Sequence, residues 1–357
     1  MKRTVLFLSA VLALASMGFA QNINKSEAKA ISNFLSQPSS KGNTNGMQLG
    51  FTGGGITTLD GVKVDGQGHV TEIDWKNKDL GGTLNLSNFP NLEKIDVSGN
   101  KLTALTVSNN PALVEINASH NMISDLTITK CPQVQTIKVN RNRIAEFDIT
   151  QVPFLKKLNI SGNQFAALDV SNAPNLESLN CSSNRLESLI VSGAQSLKNL
   201  YAGYNDLTGI ELVGLQKLEN LNLNGNKIQK LYLQGLPSLT SLLASGNHMT
   251  ELALNNCPAI NEVWVPYNDL TTFDVGDAQQ LAYVNVEWND LVTLNLSNLN
   301  FLQQVNAANN QLITLNVSND PMLRTVIVTN NDMLNTVITD MDPMLHNVVG
   351  YDGWDNF

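Results

Sequence analysis

The sequence predicts a repeat solenoid, mostly β or α/β, built from short strands stacked in fixed phase. Three observations lead there. Asparagine recurs at every twenty-first residue from Asn100 to Asn331, without one insertion. The same apolar frame returns around each of them, as in Leu92, Ile95, Val97, Leu102, Leu105 and Val107. The alternation at Ile95 and Val97 has the period of a strand with one face inward. An irregular globular fold would not hold such a phase over so many turns.

Counted from its first leucine, every repeat from Leu92 to Leu323 is apolar at the first, fourth, sixth and eleventh positions. The fourteenth and sixteenth are apolar as well, until Thr336 breaks the pattern in the last unit. The asparagine is the ninth residue, and hydrophobic burial does not explain it. Its amide can bond backbone groups of neighbouring coils, and a stack of such residues makes a ladder. Each buried polar group left unmatched would otherwise cost about 1–3 kcal/mol. Prolines such as Pro111, Pro132, Pro153 and Pro174 mark the return corner.

The frame Leu-x-x-Ile/Leu-x-Val-x-x-Asn-x-Leu resembles the leucine-rich repeat consensus. The 21-residue length and the Leu-x-Val-Ser segment after the asparagine are similar to the internalin J type of bacterial leucine-rich repeat, a secreted kind. Cysteine, which such relatives carry at the sixth position, stands there only as Cys181. The resemblance implies a right-handed curved rod, with a parallel β-sheet on its concave side and a small N-terminal cap.

Residues 1–20 read as a signal peptide. Lys2 and Arg3 precede the apolar run Val5 to Leu14, and small residues follow at Gly18 and Ala20. The run is shorter than the ~20 apolar residues that span a bilayer, and no later stretch is long enough, so no integral membrane segment is expected. Residues 21–69 form the expected N-terminal cap with one short helix. Asn24 and Glu27 can make a capping box, Ile31, Phe34 and Leu35 line one face, and Pro38 stops the helix. A loop at Gly50 to Gly55 precedes a hairpin-like pair, Thr57-Thr58-Leu59 with Val62-Lys63-Val64. Residues 70–344 hold the repeats, a divergent first coil (Val70, Ile73, Trp75) followed by twelve units. Residues 345–357 read as a C-terminal cap: Leu345 and Val348 start one more strand, and Tyr351, Trp354 and Phe357 fold over the last coil.

Composition narrows the function. Asp and Glu outnumber Lys and Arg 31 to 22 in 357 residues, and the formal charge is −9. Nucleic acid is therefore not an expected partner, since phosphate binding runs on Lys and Arg. Three cysteines exclude a disulfide-stapled scaffold. Cys131 and Cys257 stand six coils apart, roughly 29 Å, beyond the reach of one disulfide. His69, His120, His248 and His346 show no ligand spacing, and Gly53-Gly54-Gly55 lacks the Lys-Ser/Thr of a phosphate cradle. Serines such as Ser98, Ser161 and Ser182 have no histidine set beside them. No metal, no cofactor and no catalytic activity are expected.

The informative positions are those a strand must turn to solvent: the third, fifth, seventh and eighth. Early coils place Asp96, Ser98, Asn117, Asn159 and Asn180 there. Later coils place Tyr201 and Trp264 at the fifth position, Tyr204, Tyr267 and Trp288 at the eighth, and Tyr283 at the third. Leu243 and Ile327 extend the fifth-position row. Clustered exposed aromatics mark partner sites, because they supply contact area at little entropy cost. His120, Lys138, Arg141, Arg143, Lys156 and Lys157 gather on coils two to four, while Asp206, Asp269, Glu287, Asp290 and Asp332 lie near the aromatic strip. The expected function is a non-catalytic, exported recognition module (periplasmic, cell-surface or extracellular). It binds a protein or peptide, such as a host or envelope component, on the concave aromatic strip. Glycan binding by the same rings is the alternative, and a structural surface-array protein is the third.

Overall fold

The structure is a computed structural model that describes residues 23–50, 60–339, 345 and 347–350. The expected signal peptide, the segment 51–59 and the residues Tyr351, Trp354 and Phe357 lie outside the described residues. The chain winds into a β-solenoid of about 13 turns with parallel strands and few helices. It divides into two compact units, Met1–Phe165 and Ala166–Phe357.

The first unit opens with helix α1 (Lys25–Leu35), which buries Ile31, Phe34 and Leu35. The Asn24 side chain accepts the Ser26 N–H, as an N-cap should. The capping box does not form. Glu27 turns away from Asn24, and its carboxylate accepts the Val70 N–H at 2.8 Å and meets His69 Nδ1 at 2.8 Å. A buried carboxylate does better with two partners across the cap than with one on its own first turn. That contact raises the His69 pKa above its ordinary value. A one-turn helix α2 (Asn45–Gln48) follows. Strand β1 (Val62–Val64) pairs antiparallel with β2 (Val70–Asp74) of the first coil; its expected partner, 57–59, lies outside the described residues. Trp75 is fully buried and stacks on Phe34 at 5.6 Å, which seats the cap on the coils.

From β2 the first unit adds β3 (Lys94–Asp96), β4 (Glu115–Asn117), β5 (Thr136–Lys138) and β6 (Lys157–Asn159), all parallel and in register. The second unit stacks β7 (Ser178–Asn180), β8 (Asn199–Tyr201), β9 (Asn220–Asn222), β10 (Ser241–Leu243), β11 (Glu262–Trp264), β12 (Tyr283–Asn285), β13 (Gln304–Asn306), β14 (Thr325–Ile327) and β15 (Asn347–Val349). Each strand turns its central, fourth-position residue inward, so Leu200, Leu221, Leu242, Val263 and Val284 form one core row. Its third and fifth residues lie on the other face, mostly half-buried or exposed, with Asn285 buried. Burying each Leu or Val contributes about 1.5–3 kcal/mol, and only a neighbouring coil completes that burial.

The asparagine ladder holds the coils in phase. Asn247 donates to Leu223 O in the preceding coil at 3.1 Å and to Ala244 O in its own at 3.2 Å. Its Oδ1 accepts the N–H of Ile228, also from the preceding coil, at 3.1 Å. Asn163 makes the same three bonds in the first unit. Both side chains are buried.

The step from the divergent first coil is 22 residues, and the repeat slips by one again at the last turn. Thr314 pairs with Thr336 and Leu315 with Val337, so the last turn carries one extra residue after Asn331. Met333, expected inside as an eleventh position, is 66% exposed, while Val337 is buried in place of Thr336. The break at Thr336 is thus a shift of register, because the buried face must stay apolar.

Candidate functional site

Strand register decides which outward residues stand side by side. Tyr201 pairs with Asn222, Asn222 with Leu243, Leu243 with Trp264 and Trp264 with Asn285, so the fifth positions form one row across β8 to β12. Tyr283 stands in the third-position row, next to Glu262 and Gln304. All of these lie in the second unit.

The fifth position has an ordinary structural job. Asn180, Asn222, Asn285 and Asn306 each accept the N–H two residues on, at 3.0–3.2 Å, closing an Asx turn that ends the strand. Tyr201, Leu243 and Trp264 cannot do this. After Leu243 the orphaned Ser245 N–H is taken by Asn224 Oδ1 of the preceding coil at 2.7 Å. After Trp264 the residue two on is Pro266, which has no N–H to satisfy. The scaffold has been adjusted so that Trp264 can project, 41% exposed.

The eighth position is more demanding. Every one from Gly99 to Asn330 has a left-handed backbone, with φ between 52° and 68°. Glycine and asparagine suit that region, and they occupy Gly99, Gly162, Gly225, Gly246, Asn309 and Asn330. A bulky side chain there costs on the order of 1–3 kcal/mol. Yet Tyr204, Tyr267 and Trp288 hold φ of 58°, 56° and 52°. Tyr267 and Trp288 stack at 5.9 Å with their planes 12° apart, and Trp288 remains 50% exposed. The Tyr204 ring lies over Gly225, where an added Cβ would come within 2.8 Å of Cδ1.

The six aromatics therefore fall into two groups. Tyr201, half-buried, and Tyr204, 66% exposed, share one coil. Trp264, Tyr267, Tyr283 and Trp288 occupy two adjacent coils farther along. The groups are three strands apart, about 14 Å, with Asn222, Leu243, Gly225 and Gly246 between them. Tyr283 donates from its hydroxyl to Gln303 Oε1 at 3.2 Å. Sequence reading missed the strain at the eighth position. The recurrence of Gly99, Gly162, Gly225 and Gly246 at one phase was the signal that could have found it.

The basic cluster sits in the first unit. His120 and Arg141 take left-handed eighth positions there. Lys138 and Lys94 both reach Glu115, at 3.2 Å each. Burial pushes the Glu115 carboxyl up, but the two ammonium groups outweigh it and hold the pKa below the ordinary value. Lys138 of the cluster thus shares one carboxylate with Lys94. The cysteines are buried and unbridged, and burial pushes the Cys181 thiol up to about 12. Among the described residues, no three His, Cys, Asp or Glu side chains are grouped so as to hold a metal ion, and no helix is long and apolar enough to cross a membrane.

No family model matches the sequence, and neither does any curated protein. Solved structures do match. The leucine-rich effector YopM from Yersinia pestis aligns at 22% identity and a TM-score of 0.58, over 78% of this chain and 88% of its own. The plant peptide hormone receptor RGFR1, in complex with RGF2, aligns at 18% identity and 0.52, over 73% of this chain and 54% of its own. The functional domain of InlJ from Listeria monocytogenes, which includes a cysteine ladder, aligns at 21% identity and 0.47, over 72% and 68%. With its 21-residue frame, buried asparagine ladder and parallel sheet, the chain has the leucine-rich repeat fold.

Proposed function

We propose that the protein is an exported, non-catalytic recognition module that docks a protein or peptide on the aromatic strip of its second unit. The observation that carries this reading is the backbone strain at Tyr204, Tyr267 and Trp288. A scaffold selected for stability alone would keep glycine or asparagine at those positions, as it does at Gly225, Gly246 and Asn309. Exposed large rings on a rigid sheet lose little entropy on contact, which favours them as anchors. The fold's use in RGFR1, solved with RGF2 bound, is consistent with a peptide-sized partner.

The test is a paired substitution, Trp264→Ala with Trp288→Ala. Circular dichroism and the melting temperature are expected to stay near those of the parent. Capture of the partner from the native milieu is expected to fall at least about tenfold, or 1.4 kcal/mol. Undiminished capture by the folded variant overturns the reading.

A further inference from the structure

Between Lys230 and Arg324 the sequence contains no lysine or arginine, a single histidine and eight carboxylates. That stretch holds the larger aromatic group. Glu262 stands beside Tyr283 in the third-position row. Glu287 immediately precedes Trp288, and Asp290 follows two residues later. Asp269 is exposed and stands 3.5 Å from His248 Nδ1, an imidazole rather than a lysine or arginine. The carboxylates are anchored by neutral donors: Glu262 by Ser241, Glu287 by Asn306 and Asp290 by Gln311. Among the described residues, no lysine or arginine pairs with these three. In the first unit, by contrast, Glu115 is answered by two lysines.

We infer that the strip takes a cationic partner, a basic peptide segment whose Lys or Arg side chains lie against the Tyr267–Trp288 stack. The inference rests on the strip being the docking surface and names the chemistry of what docks. The faces of Trp and Tyr rings are electron-rich and attract ammonium and guanidinium groups. Carboxylates at the rim add a field of the same preference, which steers encounter and rejects acidic partners. A neutral glycan would stack on the rings but would have no use for the surrounding charge.

The experiment titrates the full chain with decamers of arginine, of lysine and of glutamate, and with a neutral chito-oligosaccharide, following tryptophan emission. The basic decamers are expected to bind, and to weaken at least about tenfold between about 50 and 300 mM salt. Trp288→Ala, which changes no charge, and the pair Glu287→Gln with Asp290→Asn are each expected to weaken them by about tenfold as well. Glu115→Gln in the first unit is expected to change nothing. Basic peptides that bind Trp288→Ala as tightly as the parent are held by overall charge, and that overturns the inference. So does binding of the glutamate decamer with equal affinity, or no binding of either basic decamer. Salt-independent binding of the oligosaccharide, lost in Trp288→Ala, also overturns the cationic partner but leaves the strip as the docking surface. Failure of the strip itself is read separately, from the capture experiment with Trp264→Ala and Trp288→Ala.

Discussion

The two units are built on one coil and differ in what that coil displays. Both use the same asparagine bonds, the same inward fourth position and the same left-handed eighth position. In the first unit the eighth row reads Gly99, His120, Arg141 and Gly162, and the sheet face carries Lys94 and Lys138 both paired with Glu115. In the second unit it includes Tyr204, Tyr267 and Trp288, and among the described residues the carboxylates around the last two have no lysine or arginine partner. A repeat scaffold separates the residues that stack the coils from the residues that face solvent, so surface chemistry can change without disturbing the core. The comparison also shows where that separation is incomplete: the eighth position is both a display site and a strained turn.

The shared part of the comparison breaks most severely at the ladder. Asn163→Ala in the first unit and Asn247→Ala in the second each strand two carbonyls and one N–H in a buried turn, and are expected to cost about 3–5 kcal/mol apiece. Chemical denaturation of the two variants checks this, and a marked inequality would show that the ladder is not equivalent in the two units. Glycines at the eighth position come next. Both Gly225→Ala and Gly162→Ala must enter the left-handed region, but the first meets the Tyr204 ring at 2.8 Å whereas the second comes no nearer than 3.4 Å to Arg141. Losses of about 2–3 and about 1 kcal/mol are expected, and Tyr204→Ala should bring the first down to the second. The smallest effect has the opposite sign. His120→Gly relieves backbone strain at φ 56° and is expected to raise stability by about 0.5–1 kcal/mol. Tyr267→Gly should gain less, because its stack with Trp288 is lost at the same time. Melting curves of the two variants separate them.

Much of this molecule was legible before any coordinates. A period held from Leu92 to Leu323 leaves one solution for burying the apolar positions, and the first, fourth and sixth positions are buried in every repeat, while Leu126, Phe147, Ile210 and Val275 at the later positions are only half-buried. The ladder was legible for the same reason: a polar side chain at a fixed phase among buried residues must find backbone partners. The terminal elements were harder. Glu27 reads locally as part of a capping box, but the electrostatics of a buried carboxylate drew it to His69 and Val70, which are far away in sequence. The slip after Asn331 was visible only as a broken pattern, since register is settled by pairing across strands.

What the sequence by itself determined is the coil: its length, its inward face, its polar ladder and the phase at which aromatic residues reach solvent. Period and burial dictate these, because each repeat meets the same neighbours. What only the tertiary structure decided is how the outward residues combine. It stacks Tyr267 on Trp288, lays Tyr204 over Gly225, parts the aromatics into two groups and holds three of them in a left-handed backbone. Those outcomes depend on dihedral angles and on side-chain directions between adjacent turns, and a linear pattern of residue types carries neither.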